Sequence, residues 1–125
     1  VLGALYVSDP KYNVDMFLGV GGGPEGVLAA CALDAYDCHF QGRFIFDNEK
    51  DIKEANSMGI KDLTKKYEIN EIVNGDSLFC ATGITSSDIL SGISKDNNTY
   101  ASETLVTHKS SNYKKIVSKI MSLDE

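Results

Sequence analysis

The sequence lacks any apolar run that approaches the roughly 20 residues needed to cross a bilayer, and it contains no tryptophan. Its first residues, Val1 to Tyr6, carry neither a basic region nor an initiator methionine. We therefore expect no signal peptide, no membrane partner, and a chain that is trimmed or partial.

Positive charge is also scarce. The 125 residues include 12 Lys and Arg against 18 Asp and Glu, which gives a formal net charge of -6. This balance disfavours nucleic acid and anionic membrane surfaces as partners. An anionic substrate is still compatible with it, because a bound metal ion can reverse the sign of the potential inside a cleft.

The three cysteines, Cys31, Cys38 and Cys80, do not have the spacing of a metal site. We interpret them as reduced, mostly buried thiols of a cytoplasmic protein. A catalytic cysteine is the alternative. Neither His39 nor His108 lies at a suggestive spacing for it, and we expect both histidines to be structural or exposed.

Hydrophobic residues make up 42% of the chain and charged residues 24%, which is ordinary for one globular domain. Apolar and capping patterns predict strands alternating with helices. The predicted strands are 14–20, 38–46 and 77–82, the predicted helices are 24–35 and 49–58, and a hairpin around 96–98 precedes an amphipathic helix at 111–123. We therefore predict a single layered α/β domain over 1–125, with a mostly parallel or mixed sheet.

A run of glycines is the most informative motif. Residues 21–26 satisfy the dinucleotide fingerprint G-x-G-x-x-G, follow a predicted strand and open a predicted helix. An acidic residue, Asp47, lies 21 positions after Gly26, counted along the sequence. A dinucleotide-binding oxidoreductase is therefore one hypothesis.

Pro24 and Glu25 argue against a dinucleotide. Pro24 removes an N–H that would donate to a diphosphate, and Glu25 adds negative charge where the diphosphate would bind. Two unit charges about 4 Å apart repel by ~4 kcal/mol at an effective dielectric near 20. A cation between them turns this into attraction, so Glu25 is a candidate ligand for Mg²⁺ or Mn²⁺ beside a phosphate. The plainer alternative is that Glu25 only complements the helix dipole, worth about 0.3–1 kcal/mol.

Residues 15–30 resemble the glycine-rich segment of class II fructose-1,6-bisphosphatases. The resemblance continues in order along the chain, at 41–43, 55–60, 79–85, 87–93 and 103–106. It implies a sugar-phosphatase-type α/β fold, related to that of the lithium-sensitive phosphatases. The implied reaction is hydrolysis of the 1-phosphate of fructose 1,6-bisphosphate with Mg²⁺ or Mn²⁺.

The same resemblance implies roles for particular residues. Glu25 would be a metal ligand and Gly22 a backbone contact to substrate, while Gly21 and Gly23 would shape the substrate-binding loop. The chain would be the C-terminal portion of a longer, cytoplasmic, homo-oligomeric enzyme whose other acidic ligands lie in its N-terminal half. We therefore expect the 125-residue chain to lack phosphatase activity by itself.

Several alternatives stay open. Sedoheptulose 1,7-bisphosphate is a second possible substrate, and a non-catalytic interaction module is a third reading of the chain. Arg43 is the best single candidate for holding a phosphate, because its guanidinium is a planar fork, but a surface ion pair is equally compatible. Residues 82–85 follow a predicted strand and would either line the site or simply form a turn.

Overall fold

The structure is a computed structural model that describes residues 1–122. Two 3₁₀ helices, Leu2–Ser8 and Pro10–Tyr12, precede the regular elements. The α-helices are α1 (Gly23–Asp34), α2 (Glu49–Ser57) and α3 (Ile69–Ile72). The strands are β1 (Gln41–Arg43), β2 (Lys66–Glu68), β3 (Leu78–Thr82), β4 (Ser94–Asp96), β5 (Thr99–His108) and β6 (Tyr113–Ser122). None of the helices in this described part is long and apolar enough to span a membrane.

The strands form two sheets. Strands β1 and β2 make a two-stranded ribbon, and β5 is the centre of a four-stranded sheet. Strand β6 pairs with β5 along its whole length, while β3 and β4 pair with different parts of β5. All four described strand pairs are antiparallel. The mixed α/β class is confirmed, whereas the expected mostly parallel or mixed sheet is not confirmed, because these strand pairs are all antiparallel.

The core lies between α1, the first 3₁₀ helix and the inner face of the larger sheet. Its buried side chains come from these three layers and, for Leu90, from the connection between β3 and β4: Ala4, Leu5, Ala29, Ala32, Leu33, Phe79, Leu90 and Leu105. Alanines on the buried face of α1 allow the helix to approach its neighbours closely. The N-terminal end of α1 extends beyond this core, since Val27 and Leu28 are exposed.

Residues 14–20 do not form the predicted buried strand. They belong to no helix or strand, and Met16, Leu18 and Val20 are 71%, 84% and 85% exposed. A strand needs a neighbour to satisfy its backbone groups, and the described residues supply none to this segment. The missing pairing also explains why no parallel crossover forms around α1.

The predicted helix at 111–123 is wrong as well. Residues 113–122 form β6, and Leu123 lies outside the described residues. Asn112 takes a left-handed conformation with φ of 50° in the connection that follows β5. All ten residues of β6 pair with residues of β5. This strand pairing decides the structure, although the spacing of the apolar residues also suits a helix.

Other local predictions are confirmed. The Asn48 side chain accepts a hydrogen bond of 3.0 Å from the Asp51 N–H at the start of α2. Gly59, with φ of 90°, follows the end of that helix. Asn97, with φ of 49°, makes the turn of the predicted hairpin between β4 and β5.

Candidate functional site

The glycine loop leads directly into α1. Gly22 is the N-cap residue with φ of -67° and ψ of 157°, and Pro24 and Glu25 lie in the first helical turn. The Gly26 N–H donates to the Gly22 carbonyl over 3.1 Å, which closes that turn. Pro24 is tolerated here because an N–H in the first turn has no partner inside the helix.

The Glu25 carboxylate folds back over the loop. A Cβ added to Gly22 would collide with Glu25 Oε2 and would lie 3.4 Å from Glu25 Cδ. A Cβ added to Gly21 or Gly23 would meet nothing within 4 Å. Of the three predicted substrate-binding glycines, only Gly22 lies against another side chain, and that contact is with the flexible, exposed end of Glu25.

Glu25 is suited to be one ligand of a metal ion. Its side chain is exposed, and a carboxylate oxygen is the donor that Mg²⁺ and Mn²⁺ prefer. Within residues 1–122, however, no group of three or more His, Cys, Asp or Glu side chains is arranged to hold a metal. The described residues thus fit a divalent cation as a contributor of one ligand and do not form a complete centre.

The dinucleotide alternative gains no support from this geometry. Its fingerprint needs a strand before the glycines and a parallel strand after the helix. Residues 14–20 are not a strand, and β1, the next strand after α1, pairs antiparallel with β2. Asp47 lies in the connection between β1 and α2.

The other candidate phosphate and site residues are dispersed. Arg43 is exposed at the end of β1, opposite Lys66 in the antiparallel register. Gly83 is buried after β3, and a Cβ there would collide with the Ser91 carbonyl oxygen. A close backbone contact therefore accounts for Gly83, and the turn interpretation of residues 82–85 fits better than a site lining.

The cysteines differ from expectation in their burial. Cys80 is exposed, and Cys31 and Cys38 are half-buried, so the prediction of mostly buried thiols is wrong. Partial burial raises the pKa of the Cys38 thiol. A raised pKa reduces the thiolate fraction, which is the opposite of what a catalytic cysteine requires.

One polar cluster has no counterpart in the sequence patterns. His108 Nε2 lies 2.8 Å from Asp76 Oδ2, and His108 Nδ1 lies 2.7 Å from Ser111 Oγ. The Ser110 hydroxyl donates to the same Asp76 oxygen over 3.0 Å. His108 and Ser110, which hydrogen-bond to the carboxylate, lower the pKa of Asp76. The strand register, which pairs Leu78 with His108, brings these distant residues together.

The fold and the loop define a class: a mixed α/β protein in which a glycine-rich loop and a carboxylate lie together at a helix N-terminus. Residues 1–121 match the family described as bacterial fructose-1,6-bisphosphatase, glpX-encoded, and the chain belongs to that family. This confirms the resemblance to class II fructose-1,6-bisphosphatases.

Individual relatives agree with the family match. A class 2 fructose-1,6-bisphosphatase of Haemophilus influenzae is 35% identical over 94% of this chain and 40% of its own length. A D-fructose 1,6-bisphosphatase class 2/sedoheptulose 1,7-bisphosphatase of Trichormus variabilis is 40% identical over 65% of the chain and 27% of its own length. The matches thus span well under half of the length of these relatives.

Proposed function

We propose that this chain supplies the loop of residues 21–25 to the active site of a class 2 bisphosphatase, which hydrolyses the 1-phosphate of fructose 1,6-bisphosphate. The observation that carries this proposal is the packing of the Glu25 carboxylate against Gly22 at the start of α1. A ligand for a cation and a stretch of approachable backbone are then adjacent in a member of this family.

The electrostatics of the loop favour a metal-bridged phosphate. The N-terminal end of α1 attracts an anion through its free N–H groups and its dipole, whereas Glu25 repels one. A divalent cation held by Glu25 removes this conflict, and we propose Mg²⁺ or Mn²⁺. When bound, such a cation polarises the phosphate and activates a water molecule. Gly22 contributes by leaving its backbone open to the substrate.

Sedoheptulose 1,7-bisphosphate is a second candidate substrate. The Trichormus variabilis relative and a Prochlorococcus marinus relative, which is 34% identical over 71% of this chain, are both named for the fructose and the sedoheptulose activities. Both substrates present a 1-phosphate on a ketose, so the same loop suits either. A cytoplasmic homo-oligomer acting on a small sugar bisphosphate stays our expectation from the resemblance.

The direct test transfers this chain into a complete relative. The matching 40% of the Haemophilus influenzae enzyme is replaced by residues 1–125, and phosphate release is measured with each sugar bisphosphate and with Mg²⁺ or Mn²⁺. We expect the chimera to be active. In the chimera, we expect Glu25→Gln to lower kcat/KM by about 100-fold or more. Removing a residue that only hydrogen-bonds to a metal ligand costs about 10- to 100-fold, and removing the ligand itself should cost more.

Glu49→Gln is the matched control, since Glu49 is also an exposed acidic residue in a first helical turn. We expect it to leave kcat/KM within twofold of the parent chimera. Equal activity of the Glu25 and Glu49 variants would overturn the metal-ligand role. Phosphate release by the isolated 125-residue chain would overturn the expectation that other parts of the enzyme must complete the site.

A further inference from the structure

The Asp76 cluster, which consists of Asp76, His108, Ser110 and Ser111, places a hydroxyl, an imidazole and a carboxylate in one hydrogen-bonded row. Ser111 Oγ lies 2.7 Å from His108 Nδ1, and His108 Nε2 lies 2.8 Å from Asp76 Oδ2. A serine hydroxyl becomes a good nucleophile when a base can take its proton and a third group orients that base. The three side chains lie in the order that this chemistry needs.

The hydrogen bonds suit a neutral imidazole that acts as a base. With a proton on Nε2, His108 donates to Asp76 and leaves Nδ1 to accept from the Ser111 hydroxyl. The Ser110 hydroxyl lies 3.0 Å from Nε2 but donates to the Asp76 oxygen. Ser111 is therefore the serine whose proton His108 can take.

Asp76 is suited to orient the ring. Hydrogen bonds from His108 and Ser110 hold the pKa of the Asp76 carboxyl below its ordinary value, so Asp76 is an anion at neutral pH. An anion on Nε2 fixes which ring nitrogen carries the proton, and it stabilises the positive charge that the ring gains when it accepts a second proton.

The backbone fixes Ser111 beside the ring. Strands β5 and β6 are paired right up to the connection 109–112, which carries this serine. Within the connection, the Asn112 N–H donates to the Lys109 carbonyl oxygen over 2.9 Å. Lys109 Nζ also lies 2.7 Å from Asp34 Oδ1 at the end of α1. The connection is thus held both by its own turn and by an ion pair to the helix.

The serine is also accessible. Ser111 is exposed, whereas the His108 side chain is only 27% exposed. A reagent in solvent can therefore reach the hydroxyl oxygen while the base beneath it is partly shielded from water. The cluster lies beside the C-terminal end of α1, and Glu25 lies in the first turn at the other end of that helix.

We propose that Ser111 is an activated nucleophile that accepts an acyl group from activated esters, with His108 as its base and Asp76 as the residue that positions the ring. Ser111 Oγ attacks the ester carbonyl carbon, and its proton passes to His108 Nδ1. The bond from this carbon to the alcohol or phenol oxygen then breaks, and His108 gives the proton to that oxygen. The products are an acylated serine and a free alcohol or phenol. This activity goes beyond the proposed bisphosphatase reaction and does not depend on it.

The direct test treats the 125-residue chain with p-nitrophenyl acetate at neutral pH and measures acetylation of each serine by peptide mass spectrometry. Ser57 is the matched control, because it is an exposed serine whose hydroxyl donates to a backbone carbonyl instead of an imidazole. We expect Ser111 to react about 100-fold faster than Ser57 or more, as general-base catalysis typically provides. Equal rates overturn the proposal, and so does acetylation of Ser110 in place of Ser111.

His108→Gln tests the base, since a glutamine side chain retains hydrogen-bonding groups but cannot take a proton at neutral pH. We expect acetylation of Ser111 to slow by about 100-fold or more while the circular dichroism spectrum is retained. An unchanged rate overturns the proposal. A fluorophosphonate probe on the unmodified chain gives a second measurement that needs no variant: Ser111 Oγ should bond to phosphorus as fluoride leaves. Absence of this label overturns the proposal however the variant folds.

Asp76→Asn and Asp76→Glu test the positioning role of the carboxylate. We expect Asp76→Asn to slow acetylation of Ser111 by about 10-fold or more, because the ring loses the anion that orients it. Asp76→Glu should restore most of the rate, since it returns the negative charge. A merely structural role predicts that both variants react like the parent as long as they are folded, and that result would remove Asp76 from the proposal.

Discussion

The β5–β6 hairpin differs from residues 14–20, which precede the glycine loop, in how its backbone N–H and C=O groups are paired. Strand β6 finds all ten of its partners on the strand that immediately precedes it in sequence. Residues 14–20 have strand-like composition, but their backbone has no strand partner among the described residues. Strand β6 thus pairs with its neighbour in sequence, whereas residues 14–20 have no such neighbour among the described strands.

Side-chain burial separates β5 from residues 14–20 but does not separate β6 from them, since Ile120 of β6 is 74% exposed. Leu105 of β5 is 3% exposed in the core, whereas Leu18 is 84% exposed. Strand β5, which packs in the core, carries no predicted site residue, whereas Gly22 and Glu25 are exposed at the start of α1.

The largest expected effect is a difference in unfolding free energy between a variant in β5 and a variant in residues 14–20. Leu105→Ala leaves a cavity in the core and should cost about 2–5 kcal/mol of unfolding free energy. Leu18→Ala should change it by less than about 0.5 kcal/mol, because the side chain is already in water. Urea unfolding of the two variants measures both values. Similar losses would mean that residues 14–20 pack in solution as the core does.

The second prediction compares two glycines. Gly83→Ala should destabilise the protein by about 1–3 kcal/mol, because its Cβ would collide with the Ser91 carbonyl oxygen. Gly21→Ala should have little effect on folding, since its Cβ would meet nothing within 4 Å. Thermal unfolding of both variants provides the measurement. If Gly21→Ala lowered the stability as much as Gly83→Ala, the open environment of the loop would be contradicted.

The third prediction concerns pH and the Asp76 cluster. His108 and Ser110 hold the pKa of Asp76 below its ordinary value. The ionised carboxylate therefore stabilises the fold at pH values above the ordinary carboxyl pKa, about 4. This stabilisation is lost as the pH falls through the lowered pKa of the folded state.

Asp76→Asn should therefore lower the urea midpoint at pH 6, with a difference from the parent that shrinks as the pH falls below about 4. Asp15→Asn, which changes an exposed carboxylate in the segment before the loop, is the control. We expect it to show a smaller difference at pH 6. A difference for Asp76→Asn that stays constant from pH 6 to pH 3 would contradict the assigned pKa shift.

The comparison also explains what could be predicted from sequence. Pro24 and Asn48 are local signals, and they correctly predicted the starts of α1 and α2. The spacing of Ile116, Val117 and Ile120 fits a helix as well as a strand, and only the ladder with β5 decides between them. Local signals therefore succeed at helix starts, where the capping residue itself decides, and fail where strand pairing decides, even when the partner strand comes just before in sequence.

In the candidate site and the Asp76 cluster, too, contacts between sequence neighbours were easier to predict than contacts set by strand pairing. Glu25 and the glycines are adjacent in sequence, so their association could be predicted, although the contact that singles out Gly22 could not. The pairing of His108 with Asp76 depends on the β3–β5 register and has no sequence signal.

The smallest expected effect is on Glu25 itself. Because its side chain is exposed in the first turn of α1, Glu25→Gln removes only its favourable interaction with the helix dipole. The unfolding free energy of the isolated chain should fall by less than about 1 kcal/mol. Urea unfolding checks this, with Glu49→Gln in α2 as the matched control. A loss of several kcal/mol would mean that Glu25 is needed for folding. A negligible loss, together with the large kinetic effect expected in the chimera, would separate metal binding from the dipole as the reason for a carboxylate at this position.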